Sequence, residues 1–282
     1  MKDLVVVGCP MSMKTVHGEP HFTGLHWLKK VMDQDYENMI IYIHFNNLLD
    51  EYQSKVIELT ADSKREIWFT HGIYDYPIDS RDIGRVRTAV KLEQKPYDHF
   101  SNIRNDWMRN ILALSDNVKY IMSLDSDILI HSDTISRLVA LYPTIPDLGM
   151  LGIPVNNGRR VTKEYPQGLY HGRAQYNFGR AVTWDRDASS LTRYRGMKTY
   201  PTDGRLIEVD YTGAACIMDA DIIRQLEPLY GAHPQGEDCY ACHNMKRRGY
   251  TIWVDTSHTT LHMMEPNLWQ VDLEKFTKRE II

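Results

Sequence analysis

A short apolar run ending in two aspartates constrains this chain more than any other feature. Val118 to Leu124 is mostly apolar, Ser115-Asp116-Asn117 precedes it, and Asp125-Ser126-Asp127 follows it. The run predicts a strand buried in a sheet. Carboxylates at the carboxyl end of such a strand lie where open α/β sheets bind their ligands. The pattern therefore favours an α/β protein with a binding site after this strand.

The rest of the chain alternates apolar runs with segments of helical spacing. Gly8-Cys9-Pro10 is expected to break the first strand, and Gly249 to end the last helix. The alternation predicts a doubly wound, mostly parallel sheet in a single α/β domain. Further strands are predicted over residues 4–7, 39–45, 66–70, 148–155, 211–218 and 250–255, and helices over 22–33, 48–60, 102–114 and 237–248, with shorter helices capped by Ser132 or Asp133 and by Asp219.

The bulk composition excludes several classes of protein. The 282 residues are 43% hydrophobic, which is enough to bury a core, and a net charge of −4 is not that of a polycation. No uncharged apolar run reaches the roughly 20 residues that span a bilayer, and the first residues do not resemble a signal peptide. Four cysteines in this length do not form a disulfide framework. We expect a cytoplasmic protein with reduced thiols.

Three acidic or basic features could carry chemistry. Asp125 and Asp127 supply oxygen ligands for a hard cation such as Mg²⁺ or Mn²⁺, which in turn suits a diphosphate, although paired aspartates also cap helices. Glu237 and Asp238 open a predicted helix, where acids either complement the helix dipole or act as a general base. His262 follows the last strand and could complete a metal site begun by aspartates.

The order of these features resembles the nucleotide-sugar glycosyltransferases of the GT-A fold, especially the inverting family-2-like group. The resemblance covers residues 1–155 and 207–265. It rests on the apolar strand with its Asp-x-Asp, the later Gly213-Ala214-Ala215-Cys216, the Glu237-Asp238 pair, and His262. Arg104-Asn105, on the helix before the Asp-x-Asp strand, resembles an Arg-Asn pair often found there.

The resemblance implies a role for each part of the chain. Asp125 would lie near the sugar or ribose, Asp127 and His262 would hold Mn²⁺ or Mg²⁺, and Asp238, beside Glu237, would be the base. Residues 1–130 would bind the nucleotide-sugar and 131–265 the acceptor, with an insertion at 156–206 and a tail at 266–282. The nucleotide-sugar site would comprise Gly8, Cys9, Pro10, Arg104, Asn105, Asp125, Ser126 and Asp127.

Two parts of this assignment stay open. Many relatives hold uracil with an acidic residue after the second strand, where this chain has His44 and Asn46, so UDP is one donor nucleotide among others. Residues 156–206 contain ten basic and four acidic residues with interleaved aromatics. They form either a solvated loop region or an acceptor platform. In the second case Arg180 and Trp184, with Gly213 and Ala214, would contact a saccharide or a hydroxymethylated base in phage-type DNA.

Two other functions compete. The spacing of Cys239, Cys242, His258 and His262 fits a zinc site and would suit a nucleic-acid-binding protein without catalysis. Here, however, the cysteines fall on a predicted helix and a strand precedes the histidines, the reverse of a zinc finger. A nucleotidyltransferase usually carries a Gly-rich loop with a basic residue after the first strand, which residues 8–12 do not resemble.

Overall fold

The computed structural model describes residues 2–11, 14–16, 19–21, 23–46, 50–72, 95–156, 160–162, 165–169, 206–210, 212–231, 236–258, 260–263 and 276. Its centre is an eight-stranded sheet. The strands of this sheet are β1 (Leu4–Met11), β4 (Met39–Asn46), β5 (Glu66–Gly72), β6 (Val118–Leu124), β8 (Leu148–Gly152), β12 (Leu206–Glu208), β13 (Ala215–Asp219) and β14 (Thr251–Asp255).

The strand order in this sheet is β12-β14-β8-β13-β6-β1-β4-β5. The run from β6 to β5 is parallel, as is the pair β8 and β14. β13 lies antiparallel between β6 and β8, and β12 is antiparallel to β14. Because β13 runs in reverse, its first residues lie at the same edge as the carboxyl ends of β6 and β8. The prediction of a mostly parallel α/β sheet is confirmed.

Six helices pack on the two faces of this sheet among the described residues. One face carries α1 (Thr23–Met32), α2 (Asp50–Thr60) and α4 (Thr134–Leu141), and the other carries α3 (Lys95–Leu114), α5 (Ala220–Gln225) and α6 (Glu237–Arg247). Side chains of β1 alternate between the two layers, with Val5 and Val7 in one and Val6 in the other. A strand buried on both faces needs a continuous apolar run, which explains the sequence of β1.

Short strands lie outside the main sheet. β7 (Ile128–Leu129), β15 (Thr260–His262) and β9 (Val155–Asn156) form a three-stranded sheet with β15 in the middle. β2 (Lys14–Val16) pairs with β3 (Glu19–His21), and β10 (Arg160–Thr162) pairs with β11 (Tyr165–Leu169). Tyr142–Thr144 forms one turn of 3₁₀-helix after α4. No helix in the described part of the chain is long and apolar enough to cross a membrane.

The structure corrects several predicted boundaries. Gly8-Cys9-Pro10 does not break β1, which continues to Met11. β1 pairs with β6 only as far as Gly8, so Pro10, which has no N–H, lies where one side of the strand is unpaired. α3 begins at Lys95 rather than Asn102, and β13 begins at Ala215 rather than at 211. Residues 148–155 form β8 and β9 rather than one strand.

The predicted helix ends agree better with the structure. The Asp219 carboxylate caps α5 by accepting a hydrogen bond from the backbone N–H of Asp221 at 2.7 Å. α6 ends at Arg247, and Gly249 follows with φ of 92°, a conformation that favours glycine. Asp133 occupies the N-cap position of α4, but its side chain makes no capping hydrogen bond there.

Candidate active site

The Asp-x-Asp segment lies at the carboxyl end of β6, against the first residues of β13. Ala215 pairs with Leu124 across the two strands, and the backbone N–H of Asp125 donates to the carbonyl of Ala214 at 2.8 Å. Ala214 has φ of 58°, a left-handed conformation that residues other than Gly, Asn and Asp seldom adopt. The tight turn at Gly213-Ala214 thus brings the start of β13 against Asp125.

Asp127 and His262 form the second part of the site. β15 pairs with β7 so that His262 lies opposite Ile128, and the backbone N–H of Met263 donates to the Asp127 carbonyl at 2.8 Å. These contacts place His262 Nε2 3.1 Å from Asp127 Oδ2. Both side chains are mostly buried, with 14% and 21% of their surfaces exposed. The pairing of two short strands therefore brings together the two predicted metal ligands.

The separation of these two atoms fits a shared cation. Two neighbouring ligands of an octahedral ion, each at about 2.1 Å, lie about 3.0 Å apart. The 3.1 Å between His262 Nε2 and Asp127 Oδ2 matches that spacing. A carboxylate and an imidazole are suitable ligands for Mn²⁺. No group of three or more such side chains suited to a metal occurs among the described residues.

Asp238 lies on α6 and approaches the turn at Gly213. A Cβ atom at Gly213 would come 2.5 Å from Asp238 Cγ and closer still to Oδ2, so only glycine fits there. The Asp238 carboxylate also accepts a hydrogen bond from the backbone of Ala214. Since Ala214 bonds Asp125 as well, the carboxyl group of Asp238 lies beside the same turn as the Asp-x-Asp segment.

Burial raises the pKa of Asp238 to about 7. The guanidinium of Arg104 opposes this effect, whereas the carboxylates of Glu237 and Asp125 add to it. Burial alone would lower the pKa of Arg104, but the surrounding carboxylates of Asp125, Asp238 and Glu237 raise it well above its usual range. Asp238 is therefore a carboxyl group that gains and loses its proton near neutral pH, beside a permanently charged arginine.

Arg104 lies between the two halves of the site. Its guanidinium donates to Asp125 Oδ1 at 2.8 Å, to Glu237 Oε1 at 3.0 Å and to Ser123 Oγ at 3.1 Å. The neighbouring Asn105 points elsewhere: its amide donates to the Tyr230 carbonyl and accepts from the Tyr230 N–H, both at 2.9 Å. Asn105 thus anchors residue 230 to α3.

The three residues predicted after the first strand lie within β1. A Cβ atom at Gly8 would overlap the Tyr42 carbonyl, so the close approach of β4 requires glycine there. The Cys9 thiol is fully buried, and its pKa is raised well above its usual range by burial and by Asp125. The side chain of Ser126 hydrogen-bonds this thiol. Pro10 pairs in register with His44.

The structure describes the end of β4, where many glycosyltransferases that the sequence resembles hold uracil. His44 is buried on β4, and its Nδ1 lies 2.8 Å from Thr70 Oγ1 on β5. Burial lowers the pKa of His44. Asn46 ends β4, at the same edge of the sheet as Asp125. Arg180 and Trp184 lie outside the described residues.

Two contributing residues were not foreseen from the sequence. Ser123 is a polar residue inside an apolar strand and precedes Asp125 by two positions, so it faces the same side of the sheet. A polar residue at this position of an apolar strand could have indicated from the sequence that Ser123 belongs to the site. Tyr230, whose ring centroid lies 5.5 Å from Arg104 Cζ, follows α5 in a loop with no recognisable motif. Only the fold brings it to the site.

The four residues of the alternative zinc site do not converge. Cys242 is buried in the core, where its thiol donates to the Thr212 carbonyl at 3.3 Å, and Cys239 is buried on the same helix. His258 Nε2 lies 3.8 Å from an Asp133 oxygen, whereas His262 bonds Asp127. The described residues contain no zinc-like cluster, and the zinc-binding alternative is not favoured.

Comparison with known proteins supports the fold. No protein-family model and no curated protein sequence matches this chain. GalNAc-T7, in a crystal structure with UDP, GalNAc and Mn²⁺, superposes with a TM-score of 0.57 at 13% identity over 93% of this chain and 44% of its own. The mannosyltransferase PcManGT from Pyrobaculum calidifontis, in complex with GDP-Man and Mn²⁺, gives 0.51 at 12% identity over 96% and 60%.

This chain therefore spans less than two thirds of the length of either neighbour. At such low identity the likeness establishes architecture alone. The mostly parallel eight-stranded sheet with helices on both faces is the α/β fold of the GT-A glycosyltransferases.

Proposed function

We propose that this protein is a metal-dependent glycosyltransferase that moves a sugar from a nucleotide-diphosphate sugar to an acceptor hydroxyl with inversion. One observation carries the proposal: the Asp-x-Asp segment and the Glu237-Asp238 pair, more than 100 residues apart in sequence, are joined through Arg104. Two solved structures of the same fold bind UDP or GDP-Man together with Mn²⁺. The fold and these side chains both support the proposed chemistry.

The donor would lie at the Asp-x-Asp edge of the sheet. Asp127 and His262 would hold a divalent cation, which neutralises charge on the leaving diphosphate. Asp125 keeps one third of its side-chain surface exposed. The carboxylate oxygen that does not bond Arg104 can therefore accept a hydrogen bond from a hydroxyl of the nucleotide-sugar's sugar or ribose. Asn105 is committed to Tyr230, and we assign it to positioning rather than to donor contact.

The acceptor would be activated by Asp238. Its carboxylate takes the proton of the acceptor hydroxyl while that oxygen bonds to the anomeric carbon. The bond from the anomeric carbon to the diphosphate oxygen breaks, and the bonding pair leaves with the nucleoside diphosphate. A base whose pKa is about 7 is matched to this task at neutral pH. Attack from the face opposite the diphosphate gives inversion.

The nucleotide and the acceptor are narrower questions within this proposal. His44 and Asn46 replace the acidic uracil ligand of relatives, so UDP and GDP donors are both candidates. The basic, aromatic-rich composition of residues 156–206 suits an acceptor with phosphates or rings. A saccharide and a hydroxymethylated DNA base are the two acceptor classes that we propose to compare.

Binding and transfer test this function separately. Calorimetric titration with UDP and GDP, each with and without Mn²⁺, should show tighter binding of one nucleotide when Mn²⁺ is present. The matching sugar donors should then be consumed in the presence of a saccharide or of DNA containing hydroxymethylated pyrimidine. Asp238→Asn should bind the nucleotide and release no product. A wild-type protein that binds neither nucleotide with Mn²⁺ would contradict the proposal.

A further inference from the structure

Arg104 is held by three side chains that come from different parts of the chain. Each of its three guanidinium nitrogens donates to a different side chain: Nε to Glu237, Nη1 to Ser123 and Nη2 to Asp125. Only 11% of the side chain is exposed. An arginine of this kind has little surface left for a ligand, although it lies at the centre of the site.

We propose that Arg104 is a positioning residue that ties the Asp125 carboxylate to the first turn of α6. It would thereby fix where the Asp238 carboxylate lies relative to the nucleotide-sugar. This inference rests on the proposed function for its consequence, transfer, but the tie itself is a property of the fold. Sequence resemblance alone would assign Arg104 to donor binding.

The geometry requires a planar, branched cation. Asp125 directly follows β6, whereas Glu237 begins α6, so the partner that joins them must donate in two directions at once. The guanidinium fork does this, whereas the point charge of a lysine cannot hold both carboxylates with the same geometry. The Tyr230 ring, 5.5 Å from Arg104 Cζ, supports the guanidinium from one side. Asn105 holds Tyr230 in turn.

The tie acts directly on Asp238, because Asp238 follows Glu237 in the same helical turn. The charged groups that act on Asp238 are Arg104, Glu237 and Asp125. Asp238 in turn raises the pKa of three neighbouring neutral groups, which are the thiols of Cys216 and Cys242 and the phenol of Tyr230. Arg104 is the cation of this set. Its removal would leave two carboxylates beside Asp238 and would free the first turn of α6.

Three variants separate the geometric and the electrostatic parts of the proposal. Arg104→Gln removes the charge and the fork, whereas Arg104→Lys keeps the charge and loses the fork. Arg109→Gln is the matched control, because Arg109 lies on the same helix but is half exposed and pairs with Asp106. The Asp238 carboxyl is followed by ¹³C NMR over a pH series, assigned by its absence in Asp238→Asn.

Two readouts need no turnover. In Arg104→Gln, the Asp238 titration midpoint should rise by about 1, since a nearby opposite charge lowers a carboxyl pKa by roughly 1–3. In Arg104→Lys the midpoint should stay within about 0.5 of wild type. In both variants, hydrogen exchange of the backbone amides of residues 240–243, which follow the first turn and can bond to its carbonyls, should accelerate by about 10-fold. Arg109→Gln should change neither quantity.

The contrary results are equally definite. If Arg104→Gln titrates and exchanges as Arg109→Gln does, Arg104 does not position Asp238. If both quantities are unchanged while nucleoside diphosphate binding with Mn²⁺ weakens 10-fold or more, Arg104 is a donor ligand and the proposal is wrong. Should Arg104→Gln not fold, the exchange rates of Arg104→Lys decide alone. A wild type that binds no nucleoside diphosphate would sink the glycosyltransferase proposal and leave these two readouts valid.

Discussion

Gly213 and Asp238 fit together so closely that a single added methyl group would displace the carboxylate. A Cβ atom at Gly213 would lie 2.8 Å from Asp238 Cβ and 2.5 Å from its Cγ. The φ of Gly213 is not in the left-handed region, so the obstacle to alanine is the carboxylate rather than the backbone. The sequence of this turn is thus fitted to the side chain 25 positions further on.

Gly213→Ala should therefore impair transfer more than donor binding. A misplaced base loses the alignment on which proximity effects depend, and a displacement of about 1 Å can cost about 100-fold in rate. We expect kcat to fall by about that factor, with the dissociation constant for nucleoside diphosphate and Mn²⁺ within about 3-fold of wild type. Wild-type kcat in Gly213→Ala would show that Asp238 is not the base.

The rate of transfer should depend on pH through Asp238. Its pKa of about 7 means that the carboxylate form is lost as the pH falls through neutrality. A plot of kcat/KM against pH should have an acidic limb with an apparent pKa near 7. Asp238→Asn should remove this limb together with nearly all activity. A rate that is flat between pH 5 and pH 8 would refute this role.

The same group should make stability depend on pH. The pKa of Asp238 is raised from 3.8 in the unfolded chain to about 7 in the folded one, so protonation favours the folded state. Its stabilising contribution is full below about pH 4 and is lost as pH rises through 7. Relative to Asp238→Asn, wild type should lose about 2–4 kcal/mol of unfolding free energy between pH 4 and pH 8. Urea titrations at several pH values measure this difference. Parallel stability curves for the two proteins would contradict it.

Removal of a metal ligand should weaken nucleotide binding only when metal is present. Asp127→Asn and His262→Gln each change one of the two proposed ligand side chains, whose Oδ2 and Nε2 atoms lie 3.1 Å apart. We expect the Mn²⁺-dependent affinity for nucleoside diphosphate to fall by about 10- to 100-fold in each variant. Asp116→Asn is the control, because Asp116 is exposed before the other end of β6. Equal losses in all three variants would argue against a local metal site.

Asn105 should matter for stability rather than for the donor. Its amide makes two hydrogen bonds to the backbone of Tyr230, in a buried environment. Asn105→Leu leaves both backbone groups without their partner, so unfolding free energy should fall by about 2–4 kcal/mol. Urea unfolding measures this loss, and nucleoside diphosphate binding to the folded variant should stay near wild type. Weak binding with unchanged stability would instead place Asn105 in the donor site.

The sequence predicts the sheet well because its strands are continuous apolar runs, but it does not encode their direction. Ala215–Asp219 looks like any other buried strand, yet it runs antiparallel between β6 and β8. Its reversal is what brings Gly213 to the Asp-x-Asp edge. Similarly, Pro10 suggests a strand break, and only the pairing pattern shows why β1 tolerates it.

The candidate site divides along the same line. The position of Asp125 and Asp127 could be predicted because both follow an apolar strand directly. The joining of Asp125 to Glu237 through Arg104 could not, since it depends on how α3 and α6 pack against the sheet. Local sequence patterns indicate which side chains could react. The contacts that set the pKa values and the spacing of these side chains join residues far apart in sequence, so these patterns do not predict them.

The most direct test of a single cleft is a distance measurement from the metal. With nucleoside diphosphate bound, paramagnetic Mn²⁺ broadens the NMR signals of nearby amides, whereas Mg²⁺ does not. If Asp127 and His262 hold the ion, the amides of Asp125, Ala214 and Asp238 should broaden strongly in wild type and much less in Asp127→Asn. Broadening confined to another part of the molecule, with sharp signals from Ala214 and Asp238, would contradict the shared cleft.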